Sequence, residues 1–204
     1  MDAQKAQRQL KELGKLGGAK EMRLAAEEWE EEWQTLLAIL MSARTLDETT
    51  VEVGARLFKA YPSVEKLSKA SRKDVERIVS RVNFFQNKAK YVIGSAKMLH
   101  EQYAGKPPHI LEKLVQFPGV GRKTANVFLA QYGQSAIGVD THVAYISQKL
   151  GWTRHSIPAK IEQDLVALFP EKYWTTLNRT LVRFGKSYTS RIQKDKLLAQ
   201  ISKI

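Results

Sequence analysis

Apolar residues recur at helical spacing along almost the whole chain and almost never alternate, which leaves packed helices as the way to bury them. Trp33, Leu36, Leu37, Leu40 and Met41 fall at i, i+3, i+4, i+7 and i+8, one stripe on one helix. Asp47 is placed to cap a helix carrying Val51, Ala55, Leu57 and Phe58 that stops before Pro62. Ser71-Arg72-Lys73-Asp74 reads as a capping-box variant opening a helix with Val75, Ile78 and Val79. A long helix runs through Tyr91 to Tyr103 and ends at Gly105 and Pro107-Pro108. Then come a short helix over Ile110 to Phe117, a tight Pro118-Gly119-Val120-Gly121 turn, and a helix from Lys123 to Tyr132. Asp140 can cap the next helix, which runs to Leu150-Gly151, and Pro158 suits the first turn of another ending near Phe169-Pro170. Two more follow, with a boundary near Gly185. Ser135 to Val139 reads as a lone strand. The expected fold class is all-α, about ten short helices.

With 204 residues the chain can bury a core as one domain or two small lobes. Its 33 Lys and Arg against 21 Asp and Glu give a net charge of +12, which points to a polyanion, either nucleic acid or an anionic membrane surface. The charge concentrates at the end: between residues 171 and 204 the acids are Glu171 and Asp195, against Lys172, Arg179, Arg183, Lys186, Arg191, Lys194, Lys196 and Lys203. There is no cysteine, which excludes disulfides, thiolate nucleophiles, Cys-ligated zinc and iron–sulfur clusters. No apolar run approaches the roughly 20 residues that span a bilayer, and the first residues are polar. The expectation is a cytoplasmic, nucleoid-associated monomer with no membrane partner, no metal and no cofactor.

Phe117-Pro118-Gly119-Val120-Gly121-Arg122-Lys123-Thr124-Ala125 is the most informative stretch. Two glycines around one apolar residue permit a sharp reversal and close approach of another chain. The turn feeds a helix, so unpaired amides and the positive end of the dipole face outward, where phosphate binds. Val120 can pack inward, and Arg122 and Lys123 add charge. Leu111, Leu114 and Val115 bracket the turn on one side, Ala125, Val127 and Leu129 on the other.

This stretch through Asn126, followed by Gly138-Val139-Asp140-Thr141-His142-Val143, resembles the helix-hairpin-helix and Gly/Pro-rich-loop-plus-Asp signature of the endonuclease III superfamily of DNA glycosylases. Leu40-Met41-Ser42-Ala43-Arg44-Thr45-Leu46-Asp47 is similar to that family's Leu-Leu-Ser-Ala-Gln-Ala-Thr-Asp segment. Phe84-Phe85-Gln86-Asn87-Lys88-Ala89 is similar to its Leu-Tyr-Asn-Ser-Lys-Ala loop. The three occur in the family's order, over roughly residues 33 to 152.

The resemblance implies a two-lobed helical fold with DNA in the cleft between lobes. A central lobe over residues 33–134 carries the hairpin, and residues 1–32 with 135–204 form the other. It implies a base-excision glycosylase with AP lyase activity, acting on duplex DNA with damaged bases or abasic sites. Lys123 is then the Schiff-base lysine and Asp140 the motif's aspartate. An amine can attack C1′ only when neutral, and apolar walls, Arg122 and the helix N-terminus all favour that form. A carboxylate beside the sugar stabilises the charge that builds as the base leaves. Gly119, Val120, Gly121, Arg122, Thr124 and Lys88 are expected at the DNA. Arg44 takes the place of a gap-filling glutamine, and Phe84 that of an intercalating leucine. His142 is read as structural.

The chain departs from the family at its end. Members carry four cysteines holding a [4Fe–4S] cluster; here Tyr188-Thr189-Ser190 puts serine at the first ligand, and later ligand positions fall on Leu197 and Gln200. A stripe of Leu197, Leu198, Ile201 and Ile204 is expected to hold the tail instead. Ala38 replaces the glutamate of adenine-removing relatives. Oxidised pyrimidines are the first choice of substrate. An 8-oxoguanine or a mismatch uracil/thymine glycosylase stays open, as does a non-catalytic helix-hairpin-helix DNA-binding module. A basic RNA-binding protein lacks an aromatic platform.

Overall fold

The computed structural model describes residues 2–18 and 22–204. Its helices are α1 (Ala3–Gly17), α2 (Glu32–Ser42), α3 (Asp47–Ala60), α4 (Val64–Ser68), α5 (Arg72–Ile78), α6 (Phe85–Gln102), α7 (Leu111–Leu114), α8 (Arg122–Gln131), α9 (Thr141–Lys149), α10 (Pro158–Leu168), α11 (Trp174–Ser187) and α12 (Arg191–Ile201), with one 3-10 turn at Glu171–Tyr173. No strand occurs among the described residues. The chain divides into two compact units, residues 23–131 and residues 1–22 with 132–204.

In the unit of residues 23–131, α2 packs against α3, α6 and α8. The stripe read from Trp33 to Met41 is real, but Gln34, Thr35, Ala38 and Ile39 are buried too. So α2 is a core helix with neighbours all round, not a half-exposed one. Trp29 and Trp33 meet Phe58 edge-on, with centroids 5.0 and 5.1 Å apart. Ser71 caps α5 through the amide of Asp74, as its pattern predicts. Asp47 does not cap α3: Leu46 holds that position and Asp47 is the first helical residue. A carboxylate there still favours the positive end of the helix.

In the other unit a cluster of α1, α9, α10, α11 and α12 side chains forms the core, among them Leu13, Val143, Leu165, Phe184, Leu198 and Ile201. Gln9 is fully buried within it and satisfied at both ends. Its amide donates to the Ile201 carbonyl at 3.2 Å and accepts from the Trp152 indole at 2.8 Å.

Two readings fail here. Ser135–Val139 is not a strand; Ala136, Ile137 and Val139 are buried, which explains the apolar run, but no second strand pairs with them. Asn178 of α11 serves the backbone instead, donating to the Gly138 carbonyl at 2.6 Å. Nor does Gly185 break a helix: α11 runs through it, and the break falls at Tyr188 to Ser190. A side chain at Gly185 would run into the imidazole of His142, so the glycine is there for packing.

Candidate functional site

The hairpin joins α7 to α8. The Val120 amide donates to the Phe117 carbonyl at 3.0 Å and closes the turn. Phe117 and Val120 point inward, buried, and the Phe117 ring lies 5.4 Å from that of Tyr103. The two glycines have different reasons. Gly119 has φ +77°, and a Cβ there would sit 2.6 Å from the Tyr91 ring of α6. Gly121 has ordinary φ, and a Cβ there meets nothing within 4 Å. Its open side lies where the backbone turns into α8, whose first amides have no partner within the helix. Arg122 and Lys123 are exposed beside it, and Thr124 is half-buried. Tyr91, Gly94 and Ser95 together make a seat for the turn: Ser95 donates to the Pro118 carbonyl at 3.2 Å, and Gly94 leaves room for the Pro118 ring.

Gly119→Ala therefore combines left-handed strain of about 1–2 kcal/mol with a clash against Tyr91. The expected result is a lower Tm and weaker binding to undamaged and damaged duplexes alike, since the turn offers backbone and charge and no base-reading group. A titration on both duplexes checks it; loss on damaged DNA alone would tie the turn to lesion recognition.

Arg44, Phe84 and Lys88 come together in the same unit. Arg44 and Phe84 both hold left-handed backbone, φ +57° and +59°. Such angles cost non-glycine residues about 1–2 kcal/mol each, so the surroundings must enforce them. The Arg44 guanidinium lies over the Phe84 ring at 5.1 Å, and Phe84 is 55% exposed. Leu46, two residues past Arg44, is 72% exposed and escaped the sequence reading. Lys88 does not reach solvent as a DNA-facing lysine would. It is buried, and its amine donates to the Met41 and Ala43 carbonyls and the Thr45 hydroxyl at 2.6, 2.7 and 2.9 Å. Burial pulls that amine down to about 8.

Asp140 lies in the other unit and caps α9, its carboxylate accepting from the Val143 amide at 2.9 Å. The Asn178 bond to Gly138 steadies the approach to it. His142 packs against α11 at Gly185.

The C-terminal residues do not fit an iron–sulfur cluster. Ser190 caps α12 through the Gln193 amide. Leu198 and Ile201 sit in the core, Leu197 packs at its edge, and Ile204 is exposed rather than part of the stripe. Among the described residues no three His, Asp or Glu gather to hold a metal ion.

The sequence model of the family described as "HhH-GPD superfamily base excision DNA repair protein" matches residues 37–171. The chain belongs to the HhH-GPD superfamily. The HhH-GPD relatives include Endonuclease III of Thermotoga maritima, 36% identical over 76% of this chain and 73% of its own length. Endonuclease III of a Synechocystis species is 38% identical over 76% and 71%. The HhH-GPD fold is shared with the solved "Structure of a Trapped Endonuclease III-DNA Covalent Intermediate: Estranged-Adenine Complex", at a TM-score of 0.84 and 28% identity over 93% of this chain and 89% of that one. The family and the endonuclease III relatives support a base-excision DNA glycosylase with AP lyase activity and do not favour a non-catalytic DNA-binding module. Among the described residues no helix is long and apolar enough to cross a membrane.

Proposed function

We propose that this chain removes oxidised pyrimidines from duplex DNA, with Lys123 as the attacking amine and Asp140 as the carboxylate that meets the charge developing on the sugar. The activity is that of a base-excision DNA glycosylase with an associated AP lyase. What carries the substrate reading is the identity to two endonucleases III over three quarters of the chain. Its support for the nucleophile is Lys123 itself, exposed in the first turn of α8 just past Gly121. A related protein of the same fold has been trapped covalently on DNA, which is what an amine nucleophile would allow.

The neutral Lys123 amine attacks C1′, and the bond from C1′ to the base breaks, the base leaving with the electron pair and taking up a proton. Asp140 is held as a helix cap, its carboxylate accepting from the Val143 amide, and its negative charge meets the cation that develops on the sugar. The resulting N,O-aminal opens to a protonated imine between Nζ and C1′ as the C1′–O4′ bond breaks and O4′ takes up a proton. Loss of a C2′ proton then expels the 3′ phosphate by β-elimination.

A panel of duplexes, each with one lesion, tests the substrate. Base release is expected from thymine glycol and dihydrouracil, and strand cleavage at an abasic site. Preferential release of 8-oxoguanine, or of uracil opposite guanine, would overturn the choice of oxidised pyrimidines.

A further inference from the structure

Lys88 sits where a lysine is costly. It is 5% exposed, its amine is pulled down to about 8, and no carboxylate pairs with it among the described residues. A methionine would fill the space without that cost. The compensation is geometric: an ammonium has three donors, and all three are used. Two of the acceptors, the Ala43 carbonyl and the Thr45 hydroxyl, belong to the residues on either side of Arg44. The third, the Met41 carbonyl, lies at the C-terminal end of α2, where carbonyls lack helical partners and carry partial negative charge. The backbone of Lys88 reaches the other tip, its amide donating to the Phe84 carbonyl at 3.0 Å.

Lys88 thus bonds to both turns that present the Arg44–Phe84 pair. Asn83 ties them a second time: its amide donates to Thr45 Oγ1 at 3.1 Å, and its side chain donates to the Arg44 carbonyl. Each turn is strained at its tip residue, and these bonds keep the two from relaxing apart.

We infer that Lys88 is a positioning residue for base extrusion: its ammonium holds the turn around Arg44 against the Phe84 turn, so that the pair enters the duplex as one rigid wedge. The inference rests on reading Arg44 and Phe84 as that wedge. A wedge matters only when a base must be unstacked; a lesion already in a single strand needs none.

The test is base release and strand cleavage by Lys88→Met on one lesion in duplex and in single-stranded DNA. The variant is expected to lose roughly tenfold or more on the duplex while matching the wild type on the single strand, the scale of an unstacking cost left uncompensated. A general loss of folding would lower both. Phe84→Ala should show the same split, and the double variant should lose little more than either alone, since both remove one device. If Phe84→Ala shows the split and Lys88→Met does not, the inference about Lys88 falls and the wedge stands. If neither shows it, the wedge reading falls and the inference with it. Should Lys88→Met fail to fold, Thr45→Val removes the hydroxyl that Lys88 and Asn83 share and must give a smaller split of the same kind; an unchanged ratio overturns the inference.

Discussion

Lys123→Ala is expected to abolish borohydride trapping on abasic DNA and to lower β-elimination by on the order of 10⁴-fold or more, the scale at which a positioned nucleophile exceeds one arriving from solution. The reason is that reduction catches an imine, and an imine needs a primary amine at the sugar. The side chain is exposed, so truncating it should leave Tm nearly unchanged, within about 0.5 kcal/mol of stability. Charge is a separate matter. Lys123→Arg keeps the positive charge beside the phosphates but cannot form the imine, so it should bind duplex DNA close to the wild type and still fail to trap. Gel-resolved covalent complex, measured beside a binding titration at one salt concentration, separates the two roles. Undiminished trapping in Lys123→Ala would assign the chemistry to another amine.

The parts of the site that were legible in the sequence are those written in a few adjacent residues. The glycine turn, the first turn of α8 and the Asp140 cap each depend on local backbone geometry, and local geometry has a short signature. The parts that were not legible depend on long-range contacts. Lys88 reads as a surface cation in any window of its own sequence; its burial exists only because the end of α2 brings three acceptors to it. Tyr91 gives no sign of lying beneath Gly119, nor Asn178 of holding Gly138. Gly185 shows the converse error. A glycine suggests a helix end, and its real cause, the imidazole packed against it from α9, is not local. The apolar run at Ser135–Val139 similarly reports burial, which a strand and a buried connecting segment share.

Asp140→Asn should separate binding from chemistry. The amide oxygen can still accept from the Val143 amide, so α9 keeps its cap and the cost to stability is about 1 kcal/mol or less. The same substitution removes the negative charge. It leaves nothing to stabilise a sugar that becomes cationic as the base departs, and nothing basic enough to take a proton. Loss of one preorganised electrostatic group costs on the order of 100-fold or more in rate. Affinity for lesion DNA should hold or rise, because a carboxylate near phosphates repels them and an amide does not. Single-turnover base release gives the rate, and a titration at fixed salt gives the affinity. Near wild-type release would reduce Asp140 to a helix cap. Collapse of binding at unchanged Tm would make it an organiser of the DNA contact rather than a participant in bond cleavage. The expected pattern, slow release with intact binding and intact fold, requires a group whose charge acts only as the glycosidic bond breaks.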